Sequence, residues 1–363
     1  MRYRIEDIAR AISADMAGEA DLCVTGAAEP QAAGPDDLAV AMTPEYGEKL
    51  GEGAARAALL WPGADWQALG LRAAIFVPRP RLAMAGLTAL MDPGPGFAPG
   101  IHPSAVIDPT AEIGAAVSIG PLCVIGPGAR IGAGARIGPQ CHIGADAVLG
   151  ESALLREQVS IGARVRIGAR FIAQPGARIG GDGFSFVTDE VSGVEMARST
   201  LGDQGETAAQ SWRRIHSLGA VEIGDDAEVG ANSTVDSGTI RPTRIGSGTK
   251  LDSLVQVGHN VQIGRDCLLC AQCGVAGSTV IGNHVVLGGQ SGVADNVTVG
   301  DRVIAAGATV ILSNVPEGRV MMGYPAIRMD SFTEMYKSLR RLTRFARDVD
   351  ALKKAVFKPG SSD

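Results

Sequence analysis

From Ile101 onward an aliphatic residue, most often followed by glycine or another small residue, returns at every sixth position. Ile107, Ile113, Ile119, Ile125, Ile131, Ile137, Ile143, Leu149, Leu155, Ile161 and Ile167 hold that register, which resumes at Ile179 after Ala173. A second block repeats it at Ile245, Leu251, Val257, Ile263, Leu269, Val275, Ile281, Leu287, Val293 and Val299. A period of six matches neither the 3.6 of a helix nor the alternation of a strand, and is the mark of a hexapeptide parallel β-helix. Each hexad supplies one short strand and one turn. Three hexads close a triangular coil whose aliphatic residues point inward and stack, with rungs about 4.8 Å apart. Residue n then lies beside residue n+18.

Composition agrees with a turn-rich, weakly aromatic architecture. The chain has 49 glycines but only 8 Phe, 4 Tyr and 3 Trp, and the glycines do not recur every third residue as a collagen helix requires. A net charge of −6 and a pI near 5.5 give no overall electrostatic reason to bind nucleic acid or an anionic membrane. No stretch reaches the roughly 18 apolar residues of a membrane span, and the start lacks a basic region followed by an apolar one. A cytoplasmic protein without stable membrane insertion is the expectation. The six cysteines are too few and too irregularly spaced for a disulfide framework and are read as free thiols.

The repeat divides the chain. Residues 1–98 read as a small α/β domain, residues 99–324 as the coil and residues 325–363 as a helical extension, with the Pro- and Gly-rich stretch Pro93 to Gly100 as the linker across the first boundary. In the extension Met335, Leu339, Leu342, Ala346, Val349, Leu352 and Val356 recur at three- and four-residue intervals, an amphipathic stripe that needs a partner. An isolated prism and a lone helix both leave apolar faces uncovered, so a homotrimer is expected. The register breaks at Gly181 to Leu218 and again around Thr239 to Arg244. Insertions in a regular solenoid are commonly binding elements or lids.

Of the five histidines, His259 has the most persuasive setting. It follows the inward Val257 and Gly258, so it stands at an outward corner, and Gly277 lies 18 residues further on, one rung away. Acyl transfer to an amine needs a base for the proton and a donor for the oxyanion that forms on the thioester carbonyl. An imidazole and an adjacent backbone amide supply both, and Asp252 is a candidate to hold the imidazole tautomer. His102 and His142 occupy turn positions without comparable company, and His284 stacks over Asp266 as a surface pair. Cys267, Cys270 and Cys273 have motif-like spacing, but the hexad geometry sends their thiols apart and a fourth ligand is missing, so no metal is expected. Lys337, Arg340, Arg341, Arg344, Arg347, Lys353 and Lys354 give the terminal helix a basic character that suits an acidic carrier protein.

An ordered set of motifs resembles one family closely. It comprises Gly100-Ile-His-Pro-Ser-Ala-Val-Ile-Asp108, Gly181-Asp-Gly-Phe184, Val235-Asp236, Leu251-Asp252, Val257-Gly-His259-Asn260 and Gly323-Tyr-Pro-Ala326. The chain is similar over nearly its whole length to the UDP-3-O-acylglucosamine N-acyltransferases of lipid A biosynthesis. That resemblance implies a mainly β fold, a left-handed parallel β-helix with an N-terminal uridine-binding α/β domain and a C-terminal helix. It implies transfer of a 3-hydroxyacyl chain from acyl carrier protein to the 2-amine of the nucleotide sugar, with no cofactor. It further implies His259 as general base, Gly277 as oxyanion donor, Asp252 as supporting carboxylate, and Gln256 and Asn260 in a cleft between subunits. Family members hold uracil between a Phe and a Tyr with an Asn nearby. In the matching stretch, Leu38 to Tyr46, only Tyr46 is kept, while Val40 and Thr43 depart. A second active-site histidine of the family falls at Asn296, and an expected arginine at Ser237. Two other readings remain: a paralogue acylating another amino sugar from acyl-CoA or acetyl-CoA, and a sugar-binding scaffold without turnover.

Overall fold

The computed structural model describes residues 1–203, 205–206, 209–323 and 326–356; Tyr324 and Pro325 of the Gly323–Ala326 motif lie outside them. The chain divides into two units, Met1–Gly96 and Phe97–Asp363.

The first unit is built on a five-stranded sheet. Strands Ala73–Phe76, Ala57–Leu60, Asp37–Ala41 and Gly26–Ala28 run parallel, and Asp15–Gly18 pairs antiparallel at one edge. Both faces are covered, as a mostly parallel sheet requires. Leu38, Leu59 and Ile75 pack on one side with Ile5, Ile8 and Leu87 from helices Ile5–Ala11 and Pro80–Met91. Ala39, Ala58, Leu60 and Ala74 pack on the other with Leu50 and Leu71.

The second unit carries the coil. Its strands, nearly all two residues long, stack into three parallel sheets of ten, ten and nine strands, the faces of a triangular prism. The register is the one the period predicts: Ile119 pairs with Ile137, Ile125 with Ile143, and Ile131 with Leu149. Across the first insertion the pairing jumps to Ile167 with Ile223, and across the second to Ile223 with Ile245, before Ile245 with Ile263 restores the original step. Both insertions are therefore extruded while the core ladder continues past them.

Inside the prism the aliphatic column is continuous and nearly solvent-free, from Ile119 through Leu155 and Val257 to Val299. Ile101, on the first rung, is half exposed. A second inward column two residues ahead of each aliphatic residue holds small or medium side chains, among them Cys123, Cys141, Cys267 and Cys273. Thus the cysteines serve as corner fillers. Cys267 and Cys273 are buried and donate from Sγ to the carbonyls of Gly282 and Gly288, both at 3.1 Å. No group of three His, Cys, Asp or Glu side chains placed to hold a metal occurs among the described residues.

Corners impose two backbone demands. One is close approach between rungs: a Cβ on Gly150 would lie 2.4 Å from the carbonyl of Gly168. The other is a left-handed residue in most turns, and it often falls to a side-chain-bearing residue, with φ of 58° at Gln140, 63° at Asn260 and 58° at Asn296. Asparagine tolerates that conformation better than most residues, so both Asn260 and Asn296 suit the turn as well as any chemistry nearby.

Phe171 is the largest fully buried side chain and fills the small-residue column just before the first insertion. Phe171→Ala is expected to cost about 3–5 kcal/mol through lost burial and the cavity left behind. A lowered urea midpoint checks this; an unchanged midpoint would mean that the rungs collapse to fill the space.

Beyond the coil, helix Met329–Val356 has 28 residues and buries none of them. Its apolar stripe, with Leu339, Leu342, Phe345 and Leu352, is exposed. No described helix is long and apolar enough to cross a membrane.

Candidate active site

His259 occupies the turn after strand Gln256–Val257, half-buried at a prism corner. Its Nδ1 lies 2.9 Å from Asn260 Oδ1. The asparagine is itself fixed: Nδ2 donates to the carbonyl of Arg241 at 3.2 Å, and Oδ1 accepts from Thr239 N at 3.2 Å and Thr239 Oγ1 at 2.9 Å. Because Nδ2 is committed to a carbonyl, the oxygen faces the imidazole and must accept from it. Nδ1 therefore carries the proton and Nε2 presents its lone pair. The second insertion, which contains Thr239 and Arg241, thus serves to lock a tautomer.

Nε2 points at Gly277. A Cβ built on that glycine would fall 2.7 Å from both Nε2 and Cε1, so the ring rests against a surface only glycine leaves open. The rungs are tied there by Ser278 N donating to the His259 carbonyl at 2.9 Å and Asn296 N donating to the Gly277 carbonyl at 3.2 Å. The Gly277 N–H has no hydrogen-bond partner among the described residues. Gly183 also approaches this side chain: a Cβ built there would lie 2.6 Å from His259 Cβ. Two glycines thus leave room for the histidine side chain.

Around this pair lies a cavity of about 780 Å³. The coil contributes His259, Ala276, Gly277, Ser278, Asp295 and Asn296, and the long insertion contributes an apolar wall of Phe184, Phe186, Val187, Val194 and Trp212. Phe184 and Phe186 meet edge to face at 5.0 Å, and the Arg214 guanidinium covers Phe186 at 4.8 Å. Strand Phe186–Val187 pairs with Arg213–Arg214, and helix Gly193–Thr200 follows a reciprocal cap between Ser192 and Glu195.

The other predicted residues divide. Asn296 lines the cavity. Asp252 does not orient the histidine within the chain. It belongs to the corner preceding strand Gln256–Val257, one face-width from His259, and its carboxylate accepts from Ser253 N at 2.7 Å and Ala271 N at 3.0 Å. Asn260, expected in the cleft, is only 9% exposed and is the imidazole's partner instead. Gln256 lies on the prism face, where it accepts from Thr234 Oγ1 and donates to Asp236 Oδ2 at 3.1 Å. Tyr46 belongs to the first unit, where it lines a cavity of about 880 Å³ with Val40, Met42 and Thr43. His284 Nδ1 lies 3.8 Å from Asp266, the surface pair expected from their spacing.

Asp236, of the Val235-Asp236 motif, also stands near His259. Burial pushes its carboxyl above the ordinary range, against the Gln256 hydrogen bond and the nearby His259, which both act to lower it. Its proximity to His259 follows from the 22-residue step across the second insertion, not from the 18-residue rule.

Residues 21–90 match the family model of UDP-3-O-(3-hydroxymyristoyl) glucosamine N-acyltransferase, and residues 110–144 and 242–277 match the bacterial transferase hexapeptide model. The chain is 76% identical over 363 residues to the UDP-3-O-acylglucosamine N-acyltransferase of Ruegeria pomeroyi, covering 100% of each. It is 66% identical to that of Paracoccus denitrificans, covering 99% of this chain and 98% of the relative. An Arabidopsis UDP-N-acetylglucosamine acyltransferase structure aligns with a TM-score of 0.50 at 22% identity, over 62% of this chain and 71% of that one. That likeness bears on the fold alone, a left-handed parallel β-helix.

Proposed function

The chain belongs to the UDP-3-O-acylglucosamine N-acyltransferase family, and we propose that it moves a 3-hydroxyacyl chain from a carrier-protein thioester to the 2-amine of a UDP-linked 3-O-acylglucosamine. The observation that carries this is the opposition of His259 Nε2 and the unpartnered Gly277 N–H across one rung. Nε2 takes a proton from the amine as nitrogen attacks the thioester carbonyl. The Gly277 N–H donates to the carbonyl oxygen as it becomes an oxyanion. Collapse expels the thiolate, which recovers the proton from the imidazolium, leaving an amide and a free carrier thiol. No cofactor enters this scheme.

The wall of Phe184, Phe186, Val187, Val194 and Trp212 suits an acyl chain, and the polar floor at Asn296 suits the sugar. In the first unit Tyr46, 45% exposed, offers one aromatic face to uracil. Val40 and Thr43, beside it, supply no second one.

Homotrimerisation is part of the proposal. The outer prism carries exposed apolar side chains, Leu268 and Ile304 on one face and Val124 and Val310 on another, surface of the kind a threefold packing covers. Asp252 and His259 stand at the two ends of one prism face, so the same packing would bring the Asp252 corner of one copy toward the His259 corner of the next. The basic face of helix Met329–Val356 is the proposed dock for an acidic acyl carrier protein, and six free cysteines are in keeping with a reducing, cytoplasmic setting.

Incubation of the purified protein with 3-hydroxyacyl carrier thioester or acyl-CoA, against UDP-3-O-acylglucosamine and other nucleotide amino sugars, tests the assignment. Amide formation is expected with the carrier thioester and UDP-3-O-acylglucosamine. Acylation of a different amino sugar, with none of this one, would replace the reading.

A further inference from the structure

On a neighbouring corner of the prism the backbone N–H two residues after the inward aliphatic is repeatedly capped by the side chain at the same hexad position of the next rung. Asp225 Oδ1 accepts from Ala169 N at 2.8 Å, Ser247 Oγ from Asp225 N at 3.1 Å, Asn283 Oδ1 from Arg265 N at 3.0 Å, and Asp301 Oδ1 from Asn283 N at 2.8 Å. On the histidine corner that position is Gly277, and the residue set to cap it is Asp295, whose chain spacing from Gly277 equals that of Asn283 from Arg265. A carboxylate is a stronger acceptor than the amide or hydroxyl that caps two of those turns. Yet Asp295 leaves the Gly277 N–H free. Its Oδ2 is held by Arg198 Nη1 at 3.3 Å and by Asn296 Nδ2 at 3.2 Å. Arg198 comes from helix Gly193–Thr200 in the long insertion, and it lines the same cavity as His259.

We propose that Arg198 is a positioning residue which draws the Asp295 carboxylate away from the Gly277 amide and so keeps the oxyanion donor open. Without the guanidinium, rotation about the Asp295 Cα–Cβ bond brings an oxygen onto the Gly277 N–H, as on the neighbouring corner. The donor is then spent on a carboxylate, and a negative charge stands where the thioester oxygen must develop one. Docking of the insertion helix thereby couples the cavity wall to a competent oxyanion site. The ion pair is partly exposed, with side chains 69% and 42% accessible, so its role is in geometry rather than stability.

This inference rests on the proposed transfer reaction, and its test separates the two. Arg198→Ala is expected to lower kcat by about 10- to 100-fold, short of full loss of an oxyanion donor, with the KM for either substrate little changed. Adding Asp295→Ala is expected to restore most of the rate, because no carboxylate remains to cap the amide; a helix needed only as a lid would not be rescued this way. Failure of the double variant to recover, or an Arg198→Ala variant with full kcat, overturns the proposal. A crystal structure of Arg198→Ala reads the same question without turnover. Asp295 bonded to the Gly277 N–H supports the inference, and a carboxylate still turned away overturns it, even if the native protein transfers no acyl group and the reaction itself must be reassigned.

Discussion

His259→Ala is expected to lower kcat by about 10²- to 10⁴-fold, the usual contribution of a positioned general base, while the fold survives. The imidazole is half-buried at a corner and is not part of the aliphatic column, so its removal opens no core cavity. The tie between Ser278 N and the His259 carbonyl is a backbone bond that alanine keeps. Residual turnover would come from the Gly277 N–H and from substrate binding, neither of which needs the ring. Steady-state kinetics beside a thermal unfolding curve make the measurement: a large loss in kcat with an unshifted unfolding midpoint is the expected pair. Turnover within a few-fold of native would remove Nε2 from the mechanism and leave Asp236, already held above the ordinary carboxylate range by burial, as the alternative proton acceptor.

The coil was legible because its physics repeats. One inward aliphatic per hexad is demanded at every rung, so many positions state the same rule, and the i to i+18 step then places Gly277 beside His259 without any coordinates. The same arithmetic, carried further, separates Asp252 from His259. A residue just after Leu251 lies at one corner and the second residue after Val257 at the next, so seven residues of sequence become a full prism face. Asn260 was harder, since its role depends on Thr239 and Arg241, which reach it from a four-residue insertion outside the repeat. The helix Gly193–Thr200 was not legible at all. It buries no residue, so no apolar period marks it, and its placement over the cavity rests on single contacts such as Arg198 to Asp295.

Gly277→Ala tests whether the imidazole needs the space as well as the hydrogen-bond donor. Alanine keeps the backbone N–H, so a mechanism that requires only that donor predicts a nearly native enzyme. The structure predicts otherwise. The added Cβ would sit 2.7 Å from Nε2 and Cε1, well inside van der Waals contact, so the ring or the rung must move. The ring's Nδ1 is tethered to an asparagine fixed by three further hydrogen bonds. The imidazole must therefore swing off its tether, or the Gly277 rung must shift and carry the N–H with it. Either way base and oxyanion donor lose their alignment, and a displacement near 1 Å costs on the order of 10²-fold. The loss should fall on kcat rather than KM, since the apolar wall is untouched. Gly274→Ala is the matched control: it lies three residues earlier on the same rung, a Cβ there meets nothing within 4 Å, and turnover should stay near native. Comparable losses in the two variants would mean that any added methyl on this rung disturbs the prism, and that the space against the imidazole has no special part in the chemistry.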